Sequence, residues 1–142
     1  MTMKTALLII SFFLTVFSSS AQLGDFVVIG NNTGFKSTSK TTMKTIFKGK
    51  YSSWKNGESV TIVLPSTKSD NVDEIASLLY GLTVKGMQKY WLEQVFQGRS
   101  NAPVFLESDE EIVSYVKRNP GAIGIVRSNR LIPQSLIIQI SD

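Results

Sequence analysis

Apolar and polar positions fall in blocks along the chain, and their period switches between strand-like and helix-like. Asp25 to Asn31, "DFVVIGN", holds the unbroken apolar run Phe26 to Ile29 and predicts a buried strand. The following "NNTGFKSTS" is rich in Asn, Gly, Ser and Thr, which predicts a turn-forming loop. From Ser39 the period lengthens: Met43, Ile46 and Phe47 make one apolar stripe, and Gly49 supplies a stop. Lys40, Lys44 and Lys48 recur on the other side of that helix. Such a row is the wet face expected of an amphipathic helix; its functional alternative is an anion-attracting stripe. "KNGE", Lys55 to Glu58, predicts a turn, and Val60 to Leu64 a β-rich core strand.

Three more helices follow. Asp70 or Asn71 can cap the first, with Asp73 and Glu74 in its opening turn, where the helix dipole favours negative charge. Its inward positions are Ile75, Leu78 and Leu79, and Gly81 ends it. Thr83 starts the second, whose stripe of Met87, Tyr90, Trp91 and Val95 reads as core; Gly98 closes it. "SDEE", Ser108 to Glu111, fits a capping box, with Ser108 as cap and Glu111 reaching back. That gives Asp109, Glu110 and Glu111 a structural task rather than a catalytic one. The third helix buries Ile112, Val113 and Val116 and stops at "NPG". Ala122 to Val126 and Ser135 to Ile140 are the closing strands. Strands apolar enough for burial on both faces, alternating with helices, predict a three-layer α/β/α sandwich.

The amino terminus stands outside this pattern. Lys4, the twelve-residue apolar run Ala6 to Phe17 and then "SSSAQ" describe a secretory signal peptide over residues 1–21, cleaved after Ala21. The run is short of the ~20 residues that a membrane span needs. Residues 22–142 then form one domain, expected to be soluble in the periplasm. Removing Lys4 leaves 14 basic against 11 acidic side chains. Residues 22–68 carry seven basic and two acidic groups, and residues 69–142 carry seven and nine. So modest a positive charge does not form the dense cationic face that nucleic acid requires.

The chain has no cysteine and no histidine. No disulfide can brace the domain, no lipid can be attached through cysteine, and packing alone must hold it. Thiolate nucleophiles, histidine bases and the usual zinc sets cannot be assembled. The expectation is therefore a protein that is not an enzyme and that carries no metal or organic cofactor.

Three blocks carry a resemblance to a known family: "IFKGKYSSWKNG" (Ile46 to Gly57), "YWLEQVFQGRSNAPV" (Tyr90 to Val104) and "SDEEIVSYVKRNPGAIGIV" (Ser108 to Val126). In this order they resemble the phosphate-binding proteins of bacterial phosphate ABC transporters, in particular their small single-domain relatives. The resemblance implies a single lobe of a periplasmic-binding-protein type II fold. It also implies where a ligand would sit. In the transporter proteins an Arg followed by Gly-Ser-Gly-Thr wraps an oxyanion after the strand that corresponds to Val60–Leu64. Here that place reads "PSTKSDN", Pro65 to Asn71. Ser69 matches the motif serine, and Asn71 stands near its threonine. The arginine and both glycines are missing, so the planar bidentate grip and the close amide approach are missing with them.

The candidate ligand-binding residues are Ser66, Thr67, Ser69 and Asn71, with Asn31, Asn32 and Thr33 as a second group expected at the same sheet edge. Turn and capping chemistry is the alternative role for all seven. Three charge-assisted hydrogen bonds at roughly 1.5–3 kcal/mol each, set against an association cost of at least ~4 kcal/mol, leave a millimolar or weaker affinity. The expected function is thus an exported solute-binding-protein-like domain for phosphate or another oxyanion, with a degraded motif. The alternative is a periplasmic interaction or sensory module that docks on a membrane permease, sensor or envelope partner, or pairs as a homodimer, without binding phosphate.

Overall fold

The computed structural model describes residues 23–129 and 131–142; the leader expected over residues 1–21 lies outside them. The elements run β1 (Phe26–Gly30), β2 (Ser37–Ser39), α1 (Lys40–Phe47), β3 (Thr61–Pro65), α2 (Val72–Tyr80), α3 (Val84–Phe96), β4 (Val104–Leu106), α4 (Asp109–Arg118), β5 (Ala122–Arg127) and β6 (Ile137–Ser141). One 3-10 turn, Gln134–Leu136, leads into β6. The six strands form a single sheet in the order β2-β6-β1-β5-β3-β4.

Local chemistry sets most helix starts. The hydroxyls of Ser39, Thr83 and Ser108 accept from the amides of Thr42, Gly86 and Glu111 at 3.1, 3.1 and 3.2 Å. Glu111 does reach back, but to the amide of Glu107, one residue before the cap, at 2.9 Å. Helix α2 ends at Gly81, whose φ of 63° is a conformation that costs glycine least.

Alternation along the strands sorts side chains into two cores. Val28, Ile62, Leu64, Ile123 and Ile125 face α1, α2 and α3, where Met43, Phe47, Ile75, Leu79, Met87 and Trp91 are buried. Ile29, Val63, Ala122 and Val126 face the opposite side, where α4 supplies Ile112 and Val116. Helices on both faces make the α/β/α sandwich that the sequence predicts. Between α2 and α3, the Tyr80 hydroxyl donates to the Phe47 carbonyl at 2.6 Å and accepts from Trp91 Nε1 at 3.1 Å. Burial pushes the Tyr80 phenol well above its ordinary pKa.

Two sequence expectations are corrected, and one unassigned segment gains an element. Ser37–Ser39 is not loop but strand β2, held by parallel pairing with β6, Ser37 opposite Gln139. Val104–Leu106, which the pattern leaves unassigned, is strand β4 beside β3 at the sheet's edge. Both are three residues long, too short to show a period. Val95, expected in the core, is exposed, because α3 packs through Met87, Trp91 and the buried Gln94 instead.

Strand direction decides what can meet at each end of the sheet. β3 runs parallel to β4 and β5, whereas β1 runs antiparallel to β5, pairing Phe26 with Arg127 and Gly30 with Ile123. The carboxyl ends of β3, β4 and β5 therefore share an edge with the start of β1. The residues after β1 lie at the opposite edge. The expectation that Asn31, Asn32 and Thr33 join Ser66 to Asn71 at one edge is corrected for this reason.

Candidate functional site

The edge where β3, β4 and β5 end is also where α2 and α4 begin. Partial positive charge from two helix starts converges there, the usual setting for a ligand in an open α/β sheet. Asn71 sits at the N-cap position of α2 but makes no capping bond with its side chain. Its amide nitrogen donates instead to both carboxylate oxygens of Asp109, at 3.0 and 3.1 Å. Its side-chain oxygen accepts from Arg127 Nε at 3.0 Å. Asp109 accepts a further bond from the backbone amide of Arg127, also at 3.0 Å. Asn71 thus bridges the start of α4 to the end of β5, and it is buried while doing so.

Arg127 is the centre of charge. Its Nη2 contacts Glu74 at 3.0 Å, and its Nη1 lies 3.8 Å from Asp25. The guanidinium also stacks over the Phe26 ring, 4.9 Å from the centroid, which fixes its plane. The cation here faces two carboxylates, and a third, Asp109, holds its backbone amide. An anion approaching Arg127 competes with carboxylates already bound to it, and a like charge at about 4 Å costs about 4 kcal/mol at the dielectric typical of a protein surface. The Arg127 side chain is 40% exposed, so water screens what remains.

The loop between β3 and α2 splits the candidate residues. Ser66 and Ser69 close their own turns: the Ser66 hydroxyl accepts from the Lys68 amide at 3.3 Å, and the Ser69 hydroxyl accepts from the Asn71 amide at 3.2 Å. Ser66 and Thr67 lie toward a groove of ≈ 390 Å³ between α3 and β4, floored by Met87 and Trp91 and walled by Phe105 and Pro103. Ser69 is buried, and Asn71 turns toward Arg127 on the other side. Four neighbours in sequence therefore serve two different surfaces.

At the far edge, Asn31 closes α4. Its amide nitrogen donates to the carbonyls of Val116 and Lys117 at 2.9 and 3.2 Å. Asn32 has φ 53° and accepts from Asn56 Nδ2 through its backbone carbonyl at 2.8 Å. The Thr33 hydroxyl donates to the Phe35 carbonyl at 3.2 Å. Trp54 sits nearby, its indole donating to the Gly121 carbonyl at 2.9 Å. A side chain at Gly121 (φ 89°) would place its Cβ 2.1 Å from the Ser59 carbonyl oxygen, so glycine is required where β5 begins.

A family model for the PBP superfamily domain matches residues 15–136. The chain belongs to this family. Among solved structures, the PBP-superfamily chain is similar to an ABC-type phosphate transport receptor from Vibrio cholerae, with a TM-score of 0.58 and 14% sequence identity. The match covers 82% of this chain and 46% of the receptor, so the chain spans less than half the receptor's length. At that identity the likeness establishes the fold alone, an α/β domain like one lobe of that receptor. No curated protein matches the chain.

Sequence reasoning missed Arg127, Asp109 and Glu74 as members of the domain's polar centre. Asp109 and Glu74 are legible as first-turn acids of helices, which hides their tertiary bonds. Arg127 did leave a signal: a cation ends an otherwise buried strand, "AIGIVR", at the edge where such folds keep their polar groups. An arginine is absent from the Pro65 to Asn71 loop, yet one reaches its end from β5, the strand paired with β3.

Proposed function

We propose that this PBP-superfamily chain is an exported solute-binding-protein-like domain of the phosphate or oxyanion transporter type, with a crevice that holds an anion weakly. The observation that carries this reading is the Asp109 carboxylate. It takes the donors that a bound oxyanion would use, the Asn71 amide and the Arg127 backbone N–H. A tethered carboxylate has no association entropy to lose, so a free anion must displace a partner that is always present. Arg127 is divided further between Glu74 and Asp25. The phosphate-transport role of the Vibrio cholerae receptor supports the ligand class. Asn71 and the neighbouring Ser69 remain the proposed contacts beside Arg127; Ser66 and Thr67 would serve only an anion in the α3–β4 groove, and Asn31, Asn32 and Thr33 only a separate site at the other edge. The reading includes no catalytic step.

Calorimetric titration with phosphate tests it. The expected dissociation constant is millimolar or weaker, and micromolar binding by the isolated chain would refute the reading. Amino-terminal sequencing of exported product should begin at Gln22; retention of the leader would remove the proposed periplasmic location. Among the described residues, no helix is long and apolar enough to cross a membrane.

A second reading is docking on an envelope partner through a surface outside the crevice. One observation favours it: Leu92 and Phe96 of α3 are 71% and 90% exposed. Exposed apolar side chains of this size, adjacent on one helix, mark interaction surfaces more often than isolated ones do.

A further inference from the structure

Helix α3 has two apolar faces, and only one of them meets the core. Met87, Trp91 and Gln94 point inward and are buried. On the outward side, Lys85, Lys89, Leu92 and Phe96 follow one another at intervals of four, three and four residues, which places them on one stripe. Arg99 continues that spacing just beyond the helix end. The stripe therefore reads cation, cation, apolar, apolar, cation. Among the described residues, Lys85, Lys89 and Arg99 take part in no salt bridge, since the pairs that form involve Lys68 and Arg127.

We propose that this outward stripe of α3 is a docking site for an anionic lipid surface. Phe96 and Leu92 enter the interface, and Lys85, Lys89 and Arg99 meet headgroup phosphates at the two ends of the apolar pair. An amphipathic helix with cations beside protruding Leu and Phe is the arrangement that binds in the plane of such a surface. Neighbouring structure adds to the charge. The Tyr90 hydroxyl donates to the Lys48 carbonyl at 2.6 Å, which holds the end of α1, with exposed Lys48 and Lys50, against the flank of α3. Three acids, Asp109, Glu110 and Glu111, open α4 on the opposite face of the sheet; on the same face, Asp73 and Glu74 open α2, and Glu74 is paired with Arg127. Glu93 is the single acid of α3 and is outnumbered by the cations around it. The stripe thus offers cations and protruding apolar groups together to the membrane.

A second copy of the chain is a poorer fit. A two-fold contact through this stripe would set Lys85, Lys89 and Arg99 against the same cations of the other copy, and like charges in apposition oppose it. Phe96 also protrudes from a helix rather than lining a socket. The proposal rests on the docking reading and is separate from the Asn71–Arg127 crevice; Leu92 also lines the groove that Ser66 and Thr67 face.

The test uses the full chain expressed with its leader and the product recovered from the periplasm. Flotation with vesicles of mixed phosphatidylglycerol and phosphatidylcholine should recover the protein, and vesicles of phosphatidylcholine alone should not. High salt should release it. The double variant Leu92→Ser with Phe96→Ser should lose binding at least tenfold with an unchanged melting temperature, because neither side chain supports the core. Lys85→Gln and Lys89→Gln should each weaken binding about fivefold. Equal binding to both vesicle types, or full binding by the serine variant, overturns the proposal. So does failure to float in a protein that light scattering shows self-associating through Phe96; that outcome leaves docking standing with a second copy as occupant. Failure to float together with strict monomer behaviour and no captured acidic envelope protein overturns both. None of these results tests the Asn71–Arg127 crevice.

Discussion

The two ends of the β1–β5 strand pair use the same residue types for opposite purposes. Around Asn31, side-chain donors go to backbone carbonyls: Asn31 to Val116 and Lys117, Trp54 to Gly121. These bonds are neutral and finish the α4–β5 turn. Around Asn71, side chains bond to side chains, and Asp109, Arg127 and Glu74 bring charge into the set. A carbonyl committed to closing a helix has nothing to exchange. A guanidinium shared among carboxylates can trade one anion for another. Two asparagines that follow strands are therefore not equivalent candidates. Only the edge where strand carboxyl ends meet helix amino ends offers groups that a solute can compete for.

The comparison breaks most visibly through Trp54. Trp54→Ala removes a buried indole that packs edge-on against Phe35 at 5.4 Å and leaves the Gly121 carbonyl without its donor. The expected loss is about 3–5 kcal/mol in urea unfolding, with any phosphate response unchanged. A change in that response would mean the two ends are coupled.

A control that belongs to neither end lies between α2 and α3. The raised Tyr80 pKa means that folding holds the phenol proton. Its contribution is fully present below the unfolded value of about 10 and is lost as pH rises from there toward the folded value. Tyr80→Phe should cost about 1–3 kcal/mol near neutrality through the lost Phe47 bond and the unpaired Trp91 indole. It should also flatten the alkaline fall in melting temperature. Tyr80 acts as expected only if the wild-type slope above pH ~10 exceeds that of the variant.

The asparagines themselves give the sharpest contrast. Asn71→Ala and Asn31→Ala should each destabilise by about 1–2 kcal/mol. Raising salt to about 1 M, where the screening length is ~3 Å, should shrink the first penalty and leave the second unchanged. Equal salt responses would show that charge does not distinguish the two ends.

How far the sequence reaches depends on the range of the physics involved. The starts at Ser39, Thr83 and Ser108 are legible because a cap is made with an amide three residues away. The layer order is legible because period changes mark it. Strand β2 is not, because its pairing partner lies about a hundred residues on and its three residues carry no pattern of their own. The same holds for the direction of β1, which sends Asn31, Asn32 and Thr33 to the wrong edge for the expected site. At Asn71 a local rule is overridden: the cap position is right, but Asp109 and Arg127 offer the side chain better partners than the helix does. The polar centre was legible in part, through Asn71 and the loop before it. Arg127 required the sheet to bring it there.

The account turns on one carboxylate taking an anion's place at the start of two helices. Phosphate titration of wild type beside Asp109→Asn tests this most directly, because the substitution keeps the side chain's shape and removes its charge. Wild type should bind at millimolar strength or weaker, and the variant about tenfold more tightly, a gain of about 1.4 kcal/mol. Identical curves for the two proteins, or micromolar binding by wild type, would contradict it.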